Sequence, residues 1–220
     1  VVPGTGWGAG TWGRGTWGSA ATTVAGGGSI RIFSQDNFGE DLIFNIRDGS
    51  IYYWDKTNGL STRAVELSSL DSNAPTVARS VLVSDRDRHV LAFGCNPVGS
   101  STPDNSAHSL QFIGPPFTFG LTQISTGITV LGPNAAVAAG DAVFWMGNGR
   151  FYVYDGTVKP LPCTVRDTVF DDFNFTQAEQ VYAGLNTEFG EVFWFYPSAS
   201  ASSNDKYVIY NYDEQVWYFG

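Results

Sequence analysis

The chain has 220 residues and a formal charge of −9 from 12 basic and 21 acidic side chains, with 16 Phe, 10 Tyr, 7 Trp, 26 Gly and 10 Pro. So aromatic a chain with so few charges is neither a coiled coil nor intrinsically disordered, and it is long enough for one domain with a real core. Its acidic balance argues against a general grip on nucleic acid, because that affinity comes mostly from Lys and Arg neutralising phosphates.

Residues 1–28 read as a Gly/Trp-rich arm. Trp7, Trp12 and Trp17 recur every five residues, and the segment closes on Gly26-Gly27-Gly28. That period matches neither strand nor helix, and so much glycine opposes a regular element. Three indoles left in water are unfavourable, so these tryptophans are expected as assembly contacts, anchored on a neighbouring chain or domain.

From residue 29 to residue 220 the pattern is β. Asp41-Leu42-Ile43-Phe44-Asn45-Ile46 leads through Asp48-Gly49 into Ser50-Ile51-Tyr52-Tyr53-Trp54-Asp55. Two alternating apolar runs around such a turn predict a hairpin. Next, Asp85-Arg86-Asp87-Arg88 alternates in sign, as a solvated turn or an inter-subunit ion-pair site does. A weaker hairpin follows in His89-Val90-Leu91-Ala92-Phe93 and Ser109-Leu110-Gln111-Phe112-Ile113, with a longer Pro- and Ser-rich connection. The first phrase then returns as Asp141 to Met146, Asn148-Gly149 and Arg150 to Asp155, and again as Glu191 to Tyr196 and Lys206 to Asp213. Starts at 41, 141 and 191, with the weaker copy near 91, give a period of about 50 residues, which is the arithmetic of β-propeller blades. The competing fold is a sandwich with fortuitous hairpin similarity. Asp167 to Leu185 breaks the β pattern: Val169, Phe170, Phe173, Ala178, Val181 and Tyr182 lie at helical spacing, and Thr176-Gln177-Ala178-Glu179 resembles a start signal. One short helix across a blade connection is expected.

The supply of catalytic residues is thin. His89 and His108 belong to no HExxH pair and lie near no GxSxG elbow. The glycine-rich stretches lack the Lys-Ser or Lys-Thr ending of a phosphate loop. Cys95 and Cys163 fit neither a metal spacing nor a disulfide framework, and read as two buried free thiols. Asp171-Asp172, Asp85 with Asp87, and Glu40-Asp41 are the candidate carboxylate pairs of the kind a glycosidase uses, although such pairs more often cap elements or face solvent. Tyr52-Tyr53-Trp54 and Tyr152-Val153-Tyr154 could form a sugar platform, but alternation turns at least half of each into the sheet stack. No catalytic, cofactor or metal residues are therefore assigned. No run of 18 apolar residues predicts a membrane span. Met146 is the only methionine, and the chain is expected to be part of a longer protein.

Several phrases resemble virion proteins of tailed bacteriophages. They are Gly6-Trp7-Gly8 with Thr11-Trp12-Gly13, Phe38-Gly39-Glu40-Asp41-Leu42, Thr62-Arg63-Ala64-Val65-Glu66-Leu67, Gly114-Pro115-Pro116-Phe117-Thr118-Phe119-Gly120, Gly132-Pro133-Asn134-Ala135-Ala136, and Val181-Tyr182-Ala183-Gly184-Leu185-Asn186. Together they are similar to tail or head-to-tail structural proteins of aquatic phages. The resemblance implies an all-β, propeller-like tail nozzle or tail-tube subunit, assembled as a homo-oligomeric ring below the portal, beside adaptor or tail proteins. DNA would pass through without specific binding. The departure is at Pro103-Asp104-Asn105-Ser106, which closes abruptly a connection that is longer in the family and leaves the number of blades open. The expectation from another class is a carbohydrate-binding or glycan-hydrolysing propeller that reads the host surface.

Overall fold

Short alternating runs cut by glycine turns become sixteen β-strands in four antiparallel sheets in the computed structural model, which describes residues 32–84, 89–98, 100, 102, 106–112, 119–125, 127–128 and 130–220. The fold is all-β. The chain divides into two compact units, Val1–Ile32 and Phe33–Gly220, and every described strand belongs to the second.

Each sheet is a meander of four strands paired in chain order. The first contains β1 (Phe33–Phe38), β2 (Asp41–Ile46), β3 (Ile51–Trp54) and β4 (Val65–Glu66). The second contains β5 (Ser80–Val83), β6 (Val90–Cys95), β7 (Ser106–Phe112) and β8 (Phe119–Ser125). The third contains β9 (Ala136–Ala139), β10 (Ala142–Gly147), β11 (Arg150–Tyr154) and β12 (Val158–Leu161). The fourth contains β13 (Tyr182–Asn186), β14 (Glu191–Tyr196), β15 (Lys206–Asn211) and β16 (Val216–Phe219). The four hairpins expected from the repeat are the central pairs of the four sheets.

The sheets pack face to face in chain order, with first strands as neighbours: β1 against β5, β5 against β9, and β9 against β13. One apolar cluster runs through the second, third and fourth sheets, and another joins the first to the second. Alternation decides which residue faces which neighbour. In β10, Val143 and Trp145 are turned toward the second sheet, with the Trp145 ring 5.3 Å from that of Phe93. Phe144 points the other way, 5.9 Å from Tyr210 of the fourth sheet. Tyr152 and Tyr154 share the face of Trp145 and Val143. In β3, Tyr53 packs toward the second sheet while Tyr52 and Trp54 turn away from it.

Two glycines mark close approaches. A bulge between Ala92 and Cys95 interrupts the pairing of β6 with β7, and Gly94 there has φ +66, where a Cβ would lie 2.7 Å from that of Arg79. Only glycine satisfies both conditions without strain. Gly132, in the connection from β8 to β9, sits so close to the Ala178 carbonyl that a Cβ would be 2.8 Å from the oxygen.

The segment expected to be one helix is divided. A helix α1 (Leu67–Leu70) lies in the connection from β4 to β5, and α2 (Arg166–Asp171) covers only the first part of Asp167 to Leu185. Phe173 forms an isolated bridge with Ser198, which takes it out of helical geometry. The Asn174 side chain then caps a 3₁₀ turn, Phe175–Gln180, by accepting from the Thr176 N–H at 3.1 Å. Of the six positions expected to face inward, Val169, Phe173 and Val181 are buried and Phe170 and Ala178 half-buried. Tyr182 enters β13 opposite Phe195 and is exposed, so the helical spacing fails where the chain becomes a strand.

Candidate functional site

Polar residues of the first sheet hold it to the second. β5 has β6 on one side only, which leaves the Val81 and Val83 N–H groups on its open edge. Ser34 and Asp36 of β1 take them: the Ser34 hydroxyl accepts from Val81 and the Asp36 carboxylate from Val83, each at 2.8 Å. The Ser34 hydroxyl in turn donates to the side-chain oxygen of Asn45. Asn45 is fully buried, and its amide donates to the Ala78 carbonyl at 2.7 Å and to its neighbour Ile46 at 3.1 Å. An open strand edge is a template for unwanted pairing, and here side chains of the preceding sheet close it. The open edge of β13 is engaged by backbone instead, with the Ala183 N–H donating to the Asn134 carbonyl at 2.7 Å.

A charged cluster gathers at the connections between sheets. Glu179, just before β13, pairs with Arg47 from the turn between β2 and β3, and with Arg79 at 3.5 Å from the residue before β5. Arg79 also reaches Asp48 at 3.4 Å. This cluster draws on three sheets and is partly exposed. Sequence reading missed it, because its members are up to 132 positions apart; Asp48 was marked only as part of a turn and Glu179 only as part of a helix start signal.

Of the candidate acids, Glu40, Asp41 and Asp172 have structural partners. Asp41 accepts from the Tyr53 hydroxyl at 2.5 Å and from the Lys56 N–H at 3.0 Å. Burial first, and then the neighbouring Asp41 carboxylate, hold the Tyr53 hydroxyl well above its ordinary range. Glu40 pairs with Lys56. Asp172 pairs with Lys206 and accepts from the Ala199 N–H; the Lys206 hydrogen bond is the main cause that lowers its carboxyl pKa. Asp85 and Asp87 lie outside the described residues, as does the rest of the Asp85 to Arg88 run. Among the described residues, no group of three His, Cys, Asp or Glu side chains is placed to hold a metal ion.

His108 is fully buried in β7. His89 Nδ1 lies 3.4 Å from the Tyr154 hydroxyl, which is itself 3.5 Å from Ser109 Oγ. A tyrosine thus stands between the histidine and the serine, and a direct base-to-nucleophile contact is not formed. Cys95 is buried and Cys163 half-buried. Burial pushes the Cys163 thiol up to about 11, which keeps it protonated and unreactive at neutral pH.

Cys163 borders an open cleft of about 530 Å³ with Arg150, Phe151, Leu161 and Arg166. Asp167 also lines the cleft and pairs with Arg166 at 2.8 Å, so its walls carry charges of both signs. Compared with known proteins, the chain matches no family model and no curated protein. Trp7, Trp12 and Trp17, expected as assembly contacts, lie outside the described residues. Among those residues no helix is long and apolar enough to cross a membrane.

What the geometry makes available, then, is a set of faces. The second and third sheets are covered on both sides, whereas the first and fourth each turn one aromatic face away from the cluster that holds them.

Proposed function

We propose that this chain is a structural subunit of a bacteriophage tail, a nozzle or head-to-tail tube component, whose sheets are arranged as propeller blades. Copies form a ring around the DNA exit channel, in contact with portal, adaptor or tail proteins. Four consecutive four-stranded meanders, with their first strands side by side, support this reading. So does the resemblance of several phrases to phage tail proteins. The buried Asn45 and the half-buried Ser34 are occupied in joining one sheet to the next, which suits a part whose work is mechanical. Stiff sheets locked by inter-sheet packing resist deformation while DNA moves past.

A net charge of −9 fits a lumen that repels phosphate, so that the duplex slides rather than adheres. Imaging of the purified full-length protein by electron microscopy tests the proposal. A closed ring with an axial channel is expected. Isolated monomers under assembly conditions overturn the ring, and a channel wall lined by arginines in contact with DNA overturns the sliding mechanism.

A further inference from the structure

The third and fourth sheets can be superposed residue by residue through their central hairpins. In the third, Met146 opposes Phe151 and Phe144 opposes Val153. In the fourth, Phe195 opposes Tyr207 and Phe193 opposes Ile209. Phe144 and Met146 are the third and fifth residues of β10, as Phe193 and Phe195 are of β14. The two sets differ in one respect. Phe144, Met146 and Phe151 are at most 6% exposed because the fourth sheet covers them, whereas Phe195 and Tyr207 are 41% and 40% exposed. Tyr182, opposite Phe195, and Tyr218, opposite Ile209, enlarge the same face. It is a receiving face with nothing on it among the described residues.

The other end of the stack carries the converse. In the third sheet, Val143 opposes Tyr154 and Trp145 opposes Tyr152, and this face covers the second sheet. In the first sheet the corresponding pairs are Leu42 with Trp54 and Phe44 with Tyr52. They point away from the second sheet, with Phe44 stacked on Tyr52 at 5.3 Å and Phe33 beside it at 6.5 Å. Phe33 is 52% exposed. One chain thus bears both halves of its own repeating interface, the receiving half on the fourth sheet and the covering half on the first.

We propose that the fourth sheet of one copy receives the first sheet of a second copy, head to tail, through Phe193, Phe195 and Tyr207 on one side and Leu42, Phe44 and Trp54 on the other. The contact continues the sheet-on-sheet packing that joins the third sheet to the fourth. Being heterologous, it leaves a free face at each end of a dimer, so assembly proceeds to a closed ring or an open chain of copies. It follows from the stacking and holds whether or not the protein serves in a tail.

Sedimentation velocity on the 220-residue chain over a wide concentration range tests this. Dimers and larger species are expected, increasing with concentration. Phe195→Asp and Phe44→Asp should each weaken self-association by about tenfold or more, the loss typical of a central aromatic contact. Mixed together, the two variants should form a heterodimer that grows no further, because one intact pair of faces remains. Tyr207→Lys, at the facing and equally exposed position, repeats the Phe195 test, and circular dichroism verifies that each variant is folded. Hydroxyl-radical labelling separates the remaining outcomes. A monomer with both faces accessible overturns the proposal, as does a monomer with both faces protected, which means that the chain covers them itself. Unimpaired association of the single variants also overturns it, by locating the contact elsewhere.

Discussion

The first and second sheets are joined differently from the third and fourth. Between the third and fourth the contact is aromatic: Phe151 lies 4.9 Å from Trp194 and 4.7 Å from Trp217, and Phe144 lies 5.9 Å from Tyr210. Its polar handles reach backbone oxygens, Trp194 Nε1 donating to Ala135 at 3.1 Å and Trp217 Nε1 to Pro162 at 2.8 Å. Between the first and second the buried residues are mainly aliphatic, Ile43, Ile51, Val81, Val83 and Leu110 among them, and the Ser34, Asp36 and Asn45 side chains run through the contact. Large rings bury much area and bind strongly over a broad range of alignments. Side chains that must meet particular backbone N–H groups specify one alignment and penalise the rest. One junction thus supplies mass and the other register.

The largest effect expected from breaking this contrast is at Trp194. Replacement by Ala removes a fully buried indole and should lower unfolding free energy by about 3–5 kcal/mol, measured by urea denaturation. Ile43→Ala in the other junction should cost less, about 2–4 kcal/mol; a larger loss there would reverse the comparison.

Asn45→Leu comes next. It keeps the branching of the side chain but leaves the Ala78 carbonyl without its buried donor, at a cost of about 1–3 kcal/mol. Amide hydrogen exchange sharpens this prediction. Val81 and Val83 should exchange faster in the variant while Ala183, whose N–H is held by the Asn134 backbone, should not. Equal acceleration at all three would mean that the two junctions are not independent.

The smallest effect concerns the exposed Asp172–Lys206 pair. Hydrogen bonding to Lys206 lowers the folded-state pKa of Asp172, so the pair's contribution is complete above the ordinary carboxylate range and disappears as pH falls through the lowered value. Lys206→Met should therefore lower the thermal midpoint slightly at neutral pH and leave it unchanged in strong acid. Melting curves across a pH series check this; an undiminished difference in acid would exclude linkage through Asp172.

How much of this was legible in advance depended on whether the signal was local. The central hairpins carried alternating apolar residues on both strands, joined in the first and third by Gly-containing turns and in the second and fourth by longer Ser-rich connections, so their pairing could be read along the chain. Flanking strands such as β4 (Val65–Glu66) and β9 (Ala136–Ala139) are short and weakly patterned, and acquire strand geometry from the partner beside them. In Asp167 to Leu185 the apolar spacing located Val169, Phe173 and Val181 in the core, yet the Phe173 bridge to Ser198 and the pairing of β13 with β14 overrode helical propensity. Asn45 was visible as a polar residue within an apolar strand. Its partners were not, since Ala78 is 33 positions away and Ser34 lies on another strand.

By itself, the sequence determined the β class, the four central hairpins and their spacing near 50 residues, because strand alternation and turn chemistry act between near neighbours. Only the tertiary structure decided the order in which the sheets stack and which aromatic of each alternating pair meets which neighbour. It also decided where the charges of Arg47, Arg79 and Glu179 converge. Those outcomes depend on sheet faces contributed by distant parts of the chain, where a single-residue change of register turns every side chain to the opposite side.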